Sequence, residues 1–170
     1  VTVEELDRLP ADSAAHQLEA CCGSARWVAA MVARRPFGTE QAAHRAAKEI
    51  WSGLGPADWK EAFAHHPRIG ERDGAHPQGS RGRAWSAQEQ AGVRTADPGL
   101  AERIRQVNRE YEARFGFIYI VCATGLGPAE LLARARARLG NHPATELEVA
   151  AAEQLKITLL RLDRLLRRGD

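Results

Sequence analysis

A single stretch of this chain reads as a β-strand, Phe117-Ile118-Tyr119-Ile120-Val121-Cys122, and no other stretch alternates as a partner for it. A lone strand leaves its backbone hydrogen bonds without a ladder, so the run is expected as a buried extended segment or a helix start. Everything else that is periodic points to helices. Thr2 with Glu5 forms a capping box, Asp12 and Ser24 suit the N-caps of two short helices, and Thr39 starts a helix reaching about Leu54. Pro56 opens a short helix carrying Trp59 and Phe63; Pro98 opens one that runs through Phe115 and stops at Gly116. Pro128 begins a helix ending at Gly140, and Thr145 with Glu148 caps the last and longest. Its Leu147, Ala151, Leu155, Thr158, Leu162 and Leu165 make one core-facing stripe. Between His66 and Trp85 the period is broken by Pro67, Gly70, Gly74, Pro77, Gly79 and Gly82, which predicts a long loop, with Ser86 and Glu89 capping the next helix. The expected fold is all-α: a bundle-like single domain over residues 1–170, crossed by one irregular extended segment.

Composition narrows the function classes. With 44% hydrophobic and 27% charged residues the chain reads as an ordinary soluble globular protein. It has no run of 18 apolar residues, and Val1-Thr2-Val3-Glu4-Glu5 lacks the basic and apolar regions of a signal peptide, so neither membrane nor secretion is expected. Cys21, Cys22 and Cys122 have no disulfide or zinc spacing, which fits a reducing cytoplasm. The net charge is only +2, and Arg134, Arg136 and Arg138 alternate around a helix instead of lining one face; they read as a solvated surface, with no nucleic-acid partner. There is no phosphate loop, nucleophile elbow or dinucleotide fingerprint, and His65, His66 and His76 match no familiar metal-ligand spacing. Chemistry without metal or cofactor is the simplest remainder.

The candidate chemistry lies in Phe63-Ala64-His65-His66-Pro67-Arg68-Ile69-Gly70-Glu71 and in Ser86-Ala87-Gln88-Glu89-Gln90. A histidine just past a helix end, followed by rigid Pro67, serves either as a favourable C-terminal residue of that helix or as a general acid or base aimed into a cleft. His65 competes for the second role, since adjacent helical residues diverge by about 100°. Ser86, Glu89 and Gln90 are either a plain capping box or, at an exposed helix mouth with free backbone donors, a place where a carboxylate substrate binds.

Four blocks in order, Phe63-x-x-His66-Pro67-Arg68-Ile69-Gly70, Ser86-x-x-Glu89-Gln90, Asn108-x-x-Tyr111-x-x-Arg114-Phe115-Gly116-Phe117-Ile118-Tyr119 and Glu153-x-x-Lys156-Ile157-x-x-x-Arg161-Leu162, resemble the 2-oxo-4-hydroxy-4-carboxy-5-ureidoimidazoline (OHCU) decarboxylases of urate degradation. Each string is common; their ordered combination is specific and covers most of the chain. The resemblance implies an all-helical, cofactor-free carboxy-lyase, commonly a homodimer, that converts OHCU to (S)-allantoin and carbon dioxide. It implies His66 as the catalytic histidine and Glu89 as the motif glutamate, and the chemistry of decarboxylation and reprotonation suggests the two as an acid/base pair. It further implies Pro67, Ser86, Gln90 and Arg161 as substrate-binding residues, with Phe117, Ile118, Tyr119 and Ile120 as the extended segment lining the active site. Arg161 lies outside the leucine stripe and, without the family, reads equally as a surface residue. The residues leave open which of His65, Arg68, His76, Arg81 and Arg83 approaches a ligand. Two rival classes are a histidine-ligated metallohydrolase of a small cyclic ureide, which predicts bound zinc, and a helical nucleic-acid-binding module, which predicts salt-dependent binding.

Overall fold

A computed structural model of the chain describes residues 1–70, 80–91 and 97–167. Regular structure among them is helical throughout: α1 (Val3–Arg8), α2 (Ala11–Glu19), α3 (Ala25–Ala33), α4 (Glu40–Ser52), α5 (Pro56–Ala64), α6 (Ser80–Glu89), α7 (Pro98–Phe115), α8 (Pro128–Arg138) and α9 (Pro143–Leu166). The all-α expectation holds, and no strand forms among the described residues. None of these helices is long and apolar enough to cross a membrane.

Most helix starts follow from local chemistry. Thr2 and Glu5 close their reciprocal capping box on α1, and Ser24 and Thr39 each accept a backbone N–H of the first turn of α3 and α4. Asp97 does the same for α7, next to Pro98 in the first turn. Two expected caps are corrected. α2 starts one residue before Asp12, behind Pro10, so Asp12 is a first-turn acid on the positive end of the helix. α9 starts at Pro143, where the proline ring already has a helical φ. His142 Nδ1 accepts the Ala144 N–H at 3.3 Å, which leaves Thr145 inside the first turn and exposed.

The chain packs as two compact units, Val1–Ala62 with Leu155–Asp170, and Phe63–Gln154. In the first, α3 packs on α2 and α4. Leu6, Leu18, Trp27, Met31, Ala43, Ala47 and Trp51 form its core, and the Trp27 indole N–H donates to Ala47 O at 3.2 Å. In the second, α7 packs on α8. Here Phe63, Ile104, Tyr111, Phe117, Tyr119, Leu131 and Ala135 are buried.

The stripe expected on α9 holds at Ala151, Thr158, Leu162 and Leu165 and is widened by polar positions. Its buried positions are Glu146, Ala150, Ala151, Gln154, Ile157, Thr158, Arg161, Leu162, Leu165 and Leu166, while Leu147 and Leu155 are only half-buried. Glu146, Gln154 and Arg161 therefore occupy core positions that a hydrophobicity pattern assigns to solvent. Arg161 is 2% exposed, which removes the surface reading of this residue.

Candidate active site

His66 follows α5 directly. Its N–H donates to Phe63 O at 3.0 Å, closing the last turn, and the residue is buried at 8% exposure. Half-buried Pro67 then stiffens a turn that ends at Gly70, whose φ of +79° is left-handed and suits a residue without a Cβ. Three neighbours hold this turn. Asn108 Nδ2 of α7 donates to Ile69 O at 2.8 Å, and the Gly70 N–H donates to Gln90 Oε1 at 3.1 Å. Arg68 grips Glu112 with two bonds of 2.9 and 2.8 Å, and that grip holds the Glu112 carboxyl below the usual carboxylate range.

The expected long loop is shorter than the sequence suggests. Residues 71–79, His76 among them, lie outside the described residues, but α6 already begins at Ser80. One interior glycine, Gly82, costs a helix only about 1 kcal/mol, and the remaining residues of Ser80–Glu89 tolerate the helix. The capping-box reading of Ser86 and Glu89 is overturned as a result. Both sit at the end of α6, and the Gln90 N–H donates to Ser86 O at 3.1 Å as a helical bond. Their side chains are at the negative end of the helix, where the dipole does not attract an anion. What survives is the spacing: Ser86, Glu89 and Gln90 lie three and four residues apart on one helical face. Gln90 ties that face to Gly70. Ser86 is buried and Glu89 half-buried, whereas Arg81 and Arg83 are exposed.

Gly116, with a φ of +76°, stops α7 and turns the chain into a stretch that is neither helix nor strand. The strand-like run is thus a mostly buried irregular segment and not a helix start. Phe117, Tyr119 and Ile120 are buried and Ile118 half-buried. The Phe117 ring lies 5.3 Å from that of Phe63, so the segment and the last turn of α5 share an apolar contact.

Behind this segment is a polar network that the sequence did not disclose. Tyr111 Oη donates to Glu146 Oε1. Arg138 Nε donates to the same oxygen at 2.7 Å, Arg138 Nη2 to Tyr111 Oη at 3.3 Å, and Asn141 Nδ2 to Glu146 Oε2 at 2.7 Å. Arg138 Nη1 reaches Ile120 O at 2.7 Å, and its guanidinium lies 4.8 Å from the centre of the Tyr119 ring. Burial, then the bond to Glu146, pushes the Tyr111 phenol well above its ordinary range; burial pushes Tyr119 up to about 12. The reading of Arg138 as part of a solvated surface is corrected, since the last turn of α8 points it inward, while Arg134 pairs with Glu130 in solvent.

Arg161 belongs to the other unit. There its Nη1 donates to Ala20 O at 3.3 Å, beside Cys22. Burial pushes the Cys22 thiol up to about 11, against smaller opposing effects of Ser24, Thr158 and Arg161, so it is a poor thiolate at neutral pH. Among the described residues no group of three or more His, Cys, Asp or Glu side chains is placed to hold a metal ion.

A histidine after a helix end, a serine and a carboxylate in the last turn of α6 with an amide directly after it, and a non-helical segment after a left-handed glycine follow the order of the first three sequence blocks. The family model for OHCU decarboxylase matches residues 7–163. The chain belongs to the OHCU decarboxylase family. Among its relatives, the OHCU decarboxylase of Amia calva is 36% identical over 137 residues, covering 79% of this chain and 76% of the relative. The uric acid degradation bifunctional protein of Arabidopsis thaliana is 34% identical over 146 residues, 85% of this chain; the match spans only 45% of that longer protein. A crystal structure of OHCU decarboxylase in the presence of (S)-allantoin superposes with a TM-score of 0.77 at 34% identity, covering 89% of this chain and 97% of the other. OHCU decarboxylases are carboxy-lyases, which makes the acid/base residues, not the cysteines, the natural focus of this member of the family. The residues that sequence reading missed as supports of the family's blocks are Asn108, Glu112, Arg138 and Glu146. Asn108 stood inside a quoted block without a role; Arg138 and Glu146 flank the Gly140-Asn141 turn, and no local pattern distinguishes them from surface charges.

Proposed function

We propose that this chain decarboxylates OHCU to (S)-allantoin and carbon dioxide without a cofactor, residues 1–170 acting as one domain of the family. The observation that carries this reading is the family match over residues 7–163, together with the 34% identical structure of OHCU decarboxylase in the presence of (S)-allantoin. The substrate's own ring does the electronic work: the bond to the carboxylate breaks, carbon dioxide leaves, and the electron pair is held by the conjugated C=N and C=O bonds as an enol-like intermediate. What the protein must add is orientation and a proton delivered to one face.

His66 and Glu89 are the proposed acid/base pair. His66 takes the hydroxyl proton or holds the reacting carboxylate, Glu89 orients it, and the pair assists stereospecific reprotonation. The burial of His66 and the tie from Gln90 to Gly70 support this assignment, because they set the α6 face that carries Glu89 against the turn that follows His66. Gln90 Oε1 is occupied by the Gly70 N–H. Its amide nitrogen is then the end that serves the ureido or ring carbonyl, with Ser86 on the same helical face; Arg161 is assigned to substrate binding on the family resemblance alone. Pro67 and the Phe117–Ile120 backbone complete the wall. A homodimer is the assembly that the family resemblance suggests.

The test is to generate OHCU from urate with the two preceding enzymes, add this protein in chelator, and follow the circular dichroism of the allantoin formed. Rapid appearance of one sign is expected, and His66→Asn is expected to abolish it in a folded protein. Only the slow racemic background from folded wild type would overturn the assignment. Loss of activity in chelator would favour the metallohydrolase instead.

A further inference from the structure

The Arg138–Glu146–Tyr111 network reaches the extended segment at one point, the carbonyl of Ile120. That contact is costly to build. Glu146 is fully buried and Arg138 nearly so, its side chain 12% exposed. Charges are removed from water only where geometry and further hydrogen bonds compensate. Here the carboxylate is met by Tyr111, Arg138 and Asn141, and the guanidinium by Glu146, the Ile120 carbonyl and the face of Tyr119. An apolar cluster of the same size would hold α7, α8 and α9 together without such demands. It would not fix the direction of a peptide group. A carbonyl pinned at 2.7 Å by a charged donor fixes the plane of the Ile120–Val121 peptide, and with it the Val121 N–H on the opposite side.

A second anchor follows two residues later, where the Cys122 N–H donates to Glu153 Oε2 at 2.8 Å. The segment thus runs from a left-handed glycine to a charged acceptor on α9, with Arg138 holding its middle. No sheet supports it, so these contacts take over the work of a ladder.

We propose that Arg138 is a positioning residue, which holds the Ile120–Val121 peptide, and through it the ligand-lining segment, in its binding conformation from behind. The inference rests on the decarboxylase reading and adds to it residues that touch no substrate. Its signature is specific. If loss of the pin lets the segment sample conformers that do not bind, the apparent affinity falls by the fraction that is competent, while molecules that do bind react as before. KM rises and kcat stays. A purely structural role would reduce the amount of folded enzyme, lowering the apparent kcat at unchanged KM.

The experiment compares wild type, Arg138→Lys and the double variant Arg138→Met with Glu146→Gln. Lysine keeps the charge opposite Glu146 but lacks a fork that spans carboxylate and carbonyl together. The double variant removes both charges, so that no buried carboxylate is left alone if the lysine protein folds poorly. Two readouts are taken: steady-state kinetics on OHCU made from urate, and amide hydrogen exchange over residues 117–122. Both variants are expected to raise KM about tenfold with kcat within about twofold. Exchange at 117–122 is expected to quicken while the centres of α7 and α9 stay protected. An active wild type whose variants keep its KM, or lose kcat alone, overturns this inference and leaves the decarboxylase reading standing. A folded but inert wild type overturns the decarboxylase reading and this inference with it.

Discussion

Replacing Tyr111 with Phe removes one oxygen from the network and should change stability in a way that depends on pH. At neutral pH the variant loses the bond to Glu146 Oε1, while Arg138 and Asn141 still hold that carboxylate. A hydrogen bond to a charged group contributes about 1.5–3 kcal/mol, so a loss of about 2 kcal/mol is expected. Above pH 10 the difference shrinks. The unfolded tyrosine has the ordinary value of 10.0, and burial pushes the folded one well above it. The folded state therefore keeps a proton that the unfolded state releases, and the contribution of Tyr111, complete below pH 10, is lost as pH rises. The slope is about 1.4 kcal/mol per pH unit for one group, so the gap between wild type and variant should close about 1.5 units higher, near pH 11.5. Tyr119 and Cys22, raised to about 12 and about 11, add alkaline instability to both proteins equally, and it cancels in the difference. Urea midpoints of the two proteins at neutral pH and at several values above 10 measure this, provided the m-value is unchanged. A variant as stable as wild type at neutral pH, or a gap that stays constant up to pH 11.5, would refute the buried, proton-retaining bond.

Three further outcomes are expected. Gly116→Ala should destabilise by about 1 kcal/mol in urea melts and Gly116→Asn by less, because the φ of +76° penalises a Cβ while no atom within 4 Å would meet it; equal stability of all three would contradict a purely backbone cost. Arg68→Ala should cost only about 0.5 kcal/mol, since both partners are 37% exposed and solvent screens the pair. The carboxyl of Glu112 is lowered from 4.5, so this small contribution is present above that value and lost as pH falls through the lowered one; a contribution that grows in acid would rule it out. Arg161→Lys should raise KM more than it lowers kcat if the guanidinium binds ground and transition states alike, and a kcat effect alone would contradict that role.

Helix existence was legible wherever a start signal had little competition: Thr2 with Glu5, Ser24, Thr39, and proline at the head of α5, α7 and α8. The lone strand-like run was legible as well, because the absence of a partner is a property of the whole sequence. Ser86-x-x-Glu89 misled for an identifiable reason. Ser-x-x-Glu spaces its side chains for a capping box at a helix start, but the same spacing puts both on one face anywhere in a helix, and glycines upstream favoured the first interpretation. A helix that tolerates Gly82 moves the string from the first turn to the last. The electrostatic reason for Ser86 and Glu89, an anion-attracting helix start, falls with that move, because the last turn is the negative end of the helix.

The error on α9 is of a different kind. Hydrophobicity assigns the core side of a helix by counting leucines, and on that count Leu147 and Leu155 belong inside and Glu146, Gln154 and Arg161 outside. Ala151, Thr158, Leu162 and Leu165 are buried as expected, but the buried line also runs through those three polar residues, with Leu147 and Leu155 at its edge. Burying a carboxylate or a guanidinium is unfavourable by several kcal/mol unless specific partners meet it, so each such position transfers the choice of helix rotation from apolar area to hydrogen bonding. For Glu146 those partners come from α7, from α8 and from the turn before α9. For Arg161 they include the carbonyl of Ala20, the residue that caps the end of α2. Partners so distant in sequence leave no local pattern, which is why a polar residue at a core position escapes a periodicity argument. It is also why the bonds from Arg138 to Glu146 and to the Ile120 carbonyl have no counterpart in the hydrophobicity pattern of α8 or α9.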